Sequence, residues 1–262
     1  RIMTSRILIK IGGRAFEGED GFRELSEAIK QNPEAEVIIV HGGGAEISLA
    51  LKAAGRQTVF VDGMRVTLAE DIEIVESVLS GAVNERIAAW LSQNGVGCRR
   101  MSGKTRGLLI AEPLLTRGGK SMGFVGKIAA VNPAAVQDAL VQKEVPVVSP
   151  ISGDADGQSY NVNADSAAAA LAAAAACTDL VFITDVPGVM VGQKILARLT
   201  VDEAKGLIAD GTITGGMVAK MESVFEALAG QVPRVHVIQW QGPGTLQRII
   251  RGEQIPGTSI HA

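Results

Sequence analysis

The sequence is poor in aromatic residues, which make up 3% of its 262 residues. So few aromatic rings argue against a surface on which the bases of a nucleic acid strand would stack. Charge of neither sign dominates, because 25 Lys and Arg stand against 28 Asp and Glu and the formal net charge is −3. A chain-wide attraction to a nucleic acid backbone is therefore not expected, and we predict no nucleic acid partner.

Long apolar runs and clusters of metal-binding residues are also missing. The most apolar stretch, Ala167 to Cys177, is shorter than the roughly 20 residues that a membrane span needs, so no membrane partner is predicted. The 2 cysteines form no CxxC pair and the 3 histidines show no spacing typical of ligands, so no protein-bound metal is predicted. The first six residues contain no long apolar run typical of a signal peptide, which favours a cytoplasmic location.

What is present indicates an α/β fold with a mainly parallel sheet, because short β-branched runs alternate with longer helical patterns. The strands are predicted at 7–11, 37–40, 146–150, 180–184 and 234–238. The helices are predicted at 22–31, 45–54, 71–95 with an interruption near Gly81, 164–176 and 218–229. The segment 99–127 loses this periodicity and predicts hairpins. A length of 262 residues fits one large domain or two joined lobes, with a lobe boundary expected near Thr178-Asp179.

Glycine-rich turns follow strand-like runs and predict surfaces that bind anions. They are Lys10-Ile11-Gly12-Gly13, His41-Gly42-Gly43-Gly44, Asp185-Val186-Pro187-Gly188 and Thr214-Gly215-Gly216-Met217. At the carboxyl end of a parallel strand, glycines let backbone N–H groups approach an anion, and the dipole of a following helix favours negative charge. Four such turns indicate two anionic ligands, for example a nucleotide and a carboxylate.

Three charged residues stand beside these turns. Lys10 interrupts an apolar strand, which favours a charge aimed at phosphates over a lysine that reaches into solvent. Lys220 lies one turn into the helix that follows Gly216, as a second such charge or as an ordinary exposed lysine. Asp165 begins a helix, either as a residue of its N-terminal cap or as a carboxylate that orients both lysines.

Further polar residues could hold a ligand. Asn161 and Asn163 alternate in an extended segment, so their side chains could face one ligand. Arg65 follows a glycine and could bind a carboxylate through two hydrogen bonds, although most surface arginines are only solvated. The sequence contains no GxGxxG, Walker A or GxSxG motif. Lysines and glycines without a general base fit phosphoryl transfer, in which positioning and charge stabilisation do most of the catalysis.

Together the motifs resemble the amino acid kinase family over nearly the whole chain. They are Lys10-Ile11-Gly12-Gly13, Val40-His41-Gly42-Gly43-Gly44, Gly63-Met64-Arg65-Val66-Thr67, Gly81-Ala82-Val83-Asn84, Tyr160-Asn161-Val162-Asn163-Ala164-Asp165, Thr184-Asp185-Val186-Pro187-Gly188, Gly215-Gly216-Met217-Val218-Ala219-Lys220 and Gly257-Thr258-Ser259-Ile260. The Arg65-Val66-Thr67 and 161–165 motifs are similar to those of the family's acetylglutamate branch. The resemblance implies a three-layer αβα sandwich with a mainly parallel central sheet. It also implies an N-terminal lobe at about 1–178 for the amino acid and a C-terminal lobe at about 179–262 for the nucleotide.

The activity that the resemblance implies is ATP-dependent phosphorylation of the side-chain carboxylate of N-acetyl-L-glutamate, a step of arginine biosynthesis. Mg²⁺ would be bound through the ATP phosphates. Lys10 and Lys220 would stabilise the transferring phosphoryl group, and Asp165 would hold both lysines. The implied substrate-binding residues are Gly43, Gly44, Arg65, Asn161 and Asn163. The implied nucleotide-binding residues are Gly12, Thr184, Asp185, Val186, Pro187, Gly188, Val189, Thr212, Ile213, Thr214, Gly216 and Met217.

Some positions depart from the family pattern. Ala45 follows the triple glycine where many relatives have proline, and Gln239-Trp240-Gln241-Gly242-Pro243 replaces the usual Gly-Arg. Arginine-inhibited members carry an additional N-terminal helix, so the resemblance implies a short, arginine-insensitive bacterial type that forms a homodimer. Three alternatives stay open: a kinase for carrier-bound aminoadipate or glutamate, another kinase of the family, and a non-catalytic binding protein of the same fold.

Overall fold

The computed structural model describes residues 5–12, 16, 18–61, 63–116 and 118–262, so Gly13 of the first predicted turn lies outside the described residues. The strands are β1 (Arg6–Ile11), β2 (Glu36–His41), β3 (Phe60–Val61), β4 (Met64–Arg65), β5 (Cys98–Ser102), β6 (Leu109–Leu115), β7 (Ser121–Val131), β8 (Val145–Ser149), β9 (Ile151–Gly153), β10 (Ser159–Val162), β11 (Asp179–Ile183), β12 (Met190–Val191), β13 (Lys194–Ile195), β14 (Arg198–Thr200), β15 (Arg234–Ile238) and β16 (Thr258–His261). The α-helices are α1 (Glu19–Gln31), α2 (Gly44–Ala53), α3 (Ile72–Glu76), α4 (Asn84–Gln93), α5 (Ala134–Val141), α6 (Ala164–Ala174), α7 (Val201–Ala209), α8 (Gly216–Ala229) and α9 (Gly244–Ile250).

The main sheet has the strand order β14-β16-β15-β11-β1-β2-β8-β5. In the part of this order that runs from β15 to β5, each strand is parallel to the next one. Strand β16, in contrast, runs antiparallel to β15. The carboxyl ends of the parallel strands therefore meet at one edge of the sheet, where a ligand site is expected. A second group of strands, β10, β7, β6 and β9, closes into a small barrel.

Helices cover both faces of the main sheet and give the predicted three-layer α/β fold. One apolar cluster packs α5, α6 and α8 against the sheet, and another packs α1, α4 and α9 against the opposite face. Within β1, Leu8 belongs to the first cluster while Ile7 and Ile9 belong to the second. Because side chains alternate along a strand, Lys10 lies on the face of Leu8 and points toward α6 and α8.

Most predicted strands and helices are confirmed within a few residues of the structure's bounds. The helix predicted at 71–95 is interrupted as expected, and the interruption is a π-helical segment, Ser77–Val83, between α3 and α4. The hairpin expectation for 99–127 holds for β6 and β7, which pair antiparallel, but not for β5, which adds to the main sheet beside β8.

The prediction that the turn Thr214-Gly215-Gly216-Met217 follows a strand is wrong, since it follows α7 and begins α8. Helix α7 carries a capping box in which the Thr200 hydroxyl oxygen accepts from the Glu203 backbone N–H and the Glu203 carboxylate accepts from that of Thr200. The Thr-x-x-Glu spacing is a sequence signal for this helix start. None of the helices in the described ranges combines the length and apolarity that a membrane crossing requires.

Candidate active site

Three charged side chains from three elements meet at the carboxyl edge of the sheet. Lys10 extends from β1, Asp165 lies in the first turn of α6 and Lys220 lies in the first half of α8. The Lys10 Nζ is 2.7 Å from the Asp165 Oδ1, and the Lys220 Nζ is 2.7 Å from the Asp165 Oδ2. The three side chains are 10, 16 and 13% exposed, respectively. Asp165 therefore contacts two lysines at once, which is the arrangement that the family resemblance implies.

Charges within the trio shift the pKa values of Asp165 and Lys220. Burial alone would raise the pKa of the Asp165 carboxyl, but the charges of Lys10 and Lys220 outweigh burial and hold the pKa below its ordinary value. Burial lowers the pKa of Lys220, and the Asp165 charge offsets part of this effect. The Lys220 ammonium also lies 4.9 Å from the centre of the Phe182 ring, a cation–π contact. Ionised, the trio carries a net charge of about +1 and is suited to bind an anion.

Gly12 leaves room for the Lys10 side chain. A Cβ atom at Gly12 would lie 2.2 Å from the Lys10 Nζ, so an ordinary side chain there would displace the ammonium group. The Gly12 backbone N–H donates to the Ile183 carbonyl oxygen at 3.4 Å, which ties the turn to the neighbouring strand β11. The structure therefore gives Gly12 a steric role beside Lys10, while its backbone N–H is already donated to Ile183.

A cavity of about 170 Å³ brings together every residue predicted to bind the substrate. Those residues come from the turn and helix start after β2, from β4, from β10 and from the N-cap of α6, namely Gly43, Gly44, Arg65, Asn161 and Asn163. Ile47, Phe60, Leu79 and Val125 supply apolar walls. A cavity that combines such walls with a few converging polar groups is suited to a small polar ligand.

The guanidinium of Arg65 is the main cation of this cavity. Arg65 is 8% exposed, and its Nη2 donates to the Gly44 carbonyl and to the Ser48 hydroxyl at 2.9 Å each. Its Nη1 donates to the Thr58 hydroxyl at 3.0 Å. Among the described residues, no carboxylate forms an ion pair with Arg65, and burial is the only influence on its pKa. Burial lowers the pKa of Arg65, but an arginine stays charged, so the remaining N–H groups suit a ligand carboxylate.

The two asparagines face the cavity with different groups. The Asn161 amide nitrogen donates to the Thr67 hydroxyl at 3.1 Å, which leaves its carbonyl oxygen as the group for a ligand donor. Asn163 is the N-cap of α6, and its side-chain oxygen accepts from the backbone N–H groups of Asp165 and Ser166 at 2.8 and 3.2 Å. Asn163 can therefore donate to a ligand through its amide nitrogen, while its cap fixes Asp165 in the first helical turn.

A second cavity, of about 220 Å³, joins the two segments predicted to bind the nucleotide. It is lined by Val186, Gly188, Val189, Met190, Thr212, Ile213, Thr214 and Met217. Gly188 has a φ of +152°, and a Cβ atom there would lie 2.8 Å from the Thr258 hydroxyl, which itself accepts from the Val189 backbone N–H. Thr258, from the C-terminal motif at 257–260, therefore supports the wall of this cavity.

Apart from Gly12, which follows β1, the remaining predicted nucleotide residues lie in the same two segments but not in this lining. Gly216 begins α8, and the Thr184 hydroxyl donates to the Asp185 carboxylate at 3.2 Å. Asp185 lines a larger cavity of about 740 Å³ with the triple glycine, Phe16 and Trp90. Pro187 lies in the chain between Val186 and Gly188, which both line the 220 Å³ cavity.

Two residues that were not predicted as site residues support the site through side-chain contacts with His41 and Arg65. Asn84, which is 1% exposed, contacts the side chain of His41, and Ser48 contacts Arg65. Asn84 belongs to one of the motifs that carry the family resemblance, which was a signal for its importance without indicating a role.

Known proteins resemble this chain in sequence and in fold. A sequence model described as the amino acid kinase family matches residues 5–239. Acetylglutamate kinase from Geobacillus thermodenitrificans is 36% identical over 241 residues, 92% of each chain. Acetylglutamate kinase from Chloroflexus aurantiacus is 39% identical over 243 residues, 92% of this chain and 94% of the relative. The crystal structure of smu.665 from Streptococcus mutans is 27% identical with a TM-score of 0.82, covering 99% of this chain and 100% of that one. This chain belongs to the amino acid kinase family.

Proposed function

We propose that this protein transfers the γ-phosphoryl group of ATP to the side-chain carboxylate of N-acetyl-L-glutamate, giving an acyl phosphate in arginine biosynthesis. The observation that carries the proposal is the placement of Lys10, Asp165 and Lys220. Asp165 lies on the helix that begins at the 170 Å³ cavity, and Lys220 lies on the helix that begins at the 220 Å³ cavity. Relatives named acetylglutamate kinase support the identity of the acceptor.

The reaction needs charge stabilisation and no proton transfer. An oxygen of the ionised acceptor carboxylate attacks the γ-phosphorus, a new O–P bond forms, and the bond to the β,γ-bridging oxygen breaks to release ADP. The equatorial phosphoryl oxygens carry negative charge throughout. Two ammonium groups held by one carboxylate stabilise that charge without rearranging during the reaction. Asp165 acts as a positioning residue because both of its oxygens are engaged by lysines.

The acceptor would lie in the 170 Å³ cavity. Arg65 would pair with its α-carboxylate, while Asn161 and the amide nitrogen of Asn163 would bind the acetamido end. The backbone N–H groups of Gly43 and Gly44, at the N-terminus of α2, would face the phosphoryl oxygens or the acceptor carboxylate. These assignments would orient the side-chain carboxylate of the acceptor toward Lys10.

The nucleotide would lie along the 184–189 and 212–217 segments, with Gly12 beneath its terminal phosphate. The described residues include no group of three or more His, Cys, Asp or Glu that could hold a metal ion, and the oxygens of Asp165 are engaged by lysines. These residues therefore fit Mg²⁺ that is bound through ATP phosphates and water. When bound, Mg²⁺ would neutralise charge on the transferring phosphate.

Three further parts of the proposal rest on the family resemblance. The N-terminal lobe would bind the amino acid, the C-terminal lobe would bind the nucleotide, and their approach would exclude water. The protein would form a homodimer in the cytoplasm. Light scattering of the purified protein tests the dimer, which a monomer mass would contradict.

Trapping of the acyl phosphate with hydroxylamine tests the reaction and the acceptor together. The protein is incubated with MgATP and, in parallel, with N-acetyl-L-glutamate, L-glutamate, L-aspartate or N-acetyl-aminoadipate. We expect hydroxamate from N-acetyl-L-glutamate alone, and a loss of about 10²-fold or more in kcat for Lys10→Ala. Lys127→Ala is the control, because that lysine is 57% exposed and pairs with Glu112 on the β6–β7 hairpin. Hydroxamate from another acceptor, or from none, would contradict the proposal.

A further inference from the structure

Two buried side chains, His41 and Asn84, support the glycine turn after β2 from the core side. The His41 Nδ1 is 2.8 Å from the Gly42 carbonyl oxygen, and its Nε2 is 3.0 Å from the Asn84 Nδ2. An amide nitrogen only donates, so Nε2 accepts from Asn84 and the ring proton lies on Nδ1. The imidazole therefore donates to the Gly42 carbonyl oxygen.

The orientation of the Asn84 amide is determined by its other contacts. Its Nδ2 also lies 2.9 Å from the Val147 carbonyl oxygen and 3.3 Å from that of Met101. Its Oδ1 accepts from the Arg100 Nε at 3.1 Å. Asn84 thus links strands β5 and β8 to the imidazole, and the tautomer of His41 follows from the surrounding strands rather than from solvent.

The π-helical segment brings Asn84 to this position. Asn84 is the first residue after Ser77–Val83, and Arg100 donates to the Ser80 and Gly81 carbonyl oxygens of that segment at 3.1 and 3.4 Å. The same segment packs tightly on the turn, since a Cβ atom at Gly43 would lie 2.7 Å from the Leu79 Cδ2. π-Helical segments inside α-helices frequently occur at functional sites.

The contact with the Gly42 carbonyl also determines where an adjacent N–H group points. The Gly42 carbonyl and the Gly43 N–H belong to one peptide unit, which is planar and trans, so the two groups point in opposite directions. Since His41 holds the carbonyl oxygen toward the core, the Gly43 N–H points away from the core, on the side where Gly43 and Gly44 line the cavities.

We propose that His41 and Asn84 are positioning residues for phosphoryl transfer, which orient the Gly43 N–H through the Gly42 peptide. This inference rests on the proposed function, in which that N–H faces the reacting groups. Asn84 fixes the imidazole, the imidazole fixes the peptide, and the N–H donor is preorganised before the phosphoryl group arrives. A role confined to folding would make the same contacts but would leave kcat per folded molecule unchanged.

Two substitutions at His41 separate its contacts. His41→Asn keeps an amide donor near the position of Nδ1 and can still reach the Gly42 carbonyl, whereas His41→Gln places its amide near Nε2 and keeps only Asn84 within reach. We expect kcat to fall about 10- to 100-fold in His41→Gln, with KM for both substrates within about threefold, and to stay within about threefold of wild type in His41→Asn. His236→Asn is the control, because His236 is buried in β15 and contacts Asp179 and Ser259 instead.

Asn84→Ala, made in the wild-type and His41→Asn backgrounds, tests the second residue. Asn84→Ala should lower kcat in the wild type and have little further effect in His41→Asn, since Asn84 acts through the imidazole. Equal kcat in His41→Gln and His41→Asn, or an equal effect of Asn84→Ala in both backgrounds, would overturn the inference. If His41→Gln does not fold, the inference is tested by comparing the effect of Asn84→Ala on kcat in the wild-type and His41→Asn backgrounds. A wild-type protein without hydroxamate formation would reject the proposed function and this inference together, whereas an active wild type isolates the inference.

Discussion

At the scale of single residues, the lysine–aspartate–lysine trio is costly for the fold. Partly buried charges lose hydration, and a pair of buried opposite charges often contributes less stability than apolar residues of the same volume would. Here two cations share one anion, so the arrangement also keeps an excess positive charge below the protein surface. Such an arrangement is better explained by a ligand that brings negative charge than by stability of the free protein.

The sequence predicted this trio for a reason that is local and physical. Lys10 interrupts an apolar strand, and strand alternation then determines the face on which its ammonium lies. Asp165 and Lys220 were candidates from their positions beside the glycine turns, but they are 55 residues apart in the chain, so the residues alone left a helix cap and an exposed lysine as alternatives. His41 and Asn84 could not be linked from the sequence, since their contact depends on how a π-helical segment orients the start of α4.

A substitution of Gly12 tests whether the position of the Lys10 ammonium controls the rate. In Gly12→Ala the added Cβ would lie 2.2 Å from the Lys10 Nζ, and the flexible lysine end would move away from Asp165. Because a displacement of about 1 Å at a catalytic group can cost about 10²-fold, we expect kcat to fall about 10- to 100-fold. The melting temperature should stay within about 2 °C of wild type, since only a side-chain end moves. Steady-state kinetics and thermal unfolding measure both quantities.

Gly97→Ala serves as the control for this prediction, because no heavy atom lies within 4 Å of a Cβ atom there. It should change neither kcat nor the melting temperature. A Gly12→Ala variant with the wild-type kcat would show that the observed Lys10 geometry is not needed for catalysis.

At the scale of elements, the site depends on where helices begin. Helix α2 begins at the triple glycine, α6 at the Asn163 cap and α8 at Gly216, and all three starts lie at the carboxyl edge of the sheet. These starts could be predicted from glycine and asparagine in the sequence. The start of α7 could have been predicted as well, because Thr200 and Glu203 form a capping box. The β12–β13 and β3–β4 hairpins are too short for a periodic signal.

Helix α7 offers a test of intrinsic helix propensity away from the site. Gly206 lies inside α7, and no heavy atom lies within 4 Å of a Cβ atom there. Gly206→Ala should raise the free energy of unfolding by about 0.5–1 kcal/mol, because alanine loses less backbone entropy than glycine in a helix. Urea titration measures the change, and kcat should not respond.

Gly211 provides the matched comparison, since it lies just beyond α7 with a φ of +79° and also has no atom within 4 Å of a Cβ. Gly211→Ala should lower the free energy of unfolding by about 1 kcal/mol through its left-handed backbone alone. We therefore expect the free energy of unfolding to change in opposite directions in Gly206→Ala and Gly211→Ala. A loss of stability in Gly206→Ala would contradict the propensity argument.

At the scale of the whole molecule, one sheet positions both of the cavities in which the proposed ligands would bind. Strand β1 lies between β2, whose turn lines the 170 Å³ cavity, and β11, whose following segment lines the 220 Å³ cavity. The boundary predicted near Thr178-Asp179 falls at the start of β11, and β11 pairs with β1 over 5 registered positions. Any approach of the proposed lobes would therefore have to occur above a continuous sheet, through the loops and hairpins at its carboxyl edge.

Acid should destabilise the whole fold through His41, which is 1% exposed. Burial lowers the pKa of His41 from 6.5 to about 4. The Gly42 carbonyl and the Glu46 charge oppose this effect, while the Arg86 and Lys10 charges add to it.

Between these pH values the unfolded chain binds a proton that the folded protein excludes. The free energy of unfolding should therefore decrease by about 3 kcal/mol in all as the pH falls from 6.5 to about 4. Urea titrations across this range should show a shallower dependence in His41→Asn, whereas His261→Asn, at an exposed residue, should keep the wild-type slope. An identical slope in His41→Asn and the wild type would mean that His41 takes up its proton without opening the fold, and that the imidazole is not held neutral by its burial beneath the glycine turn.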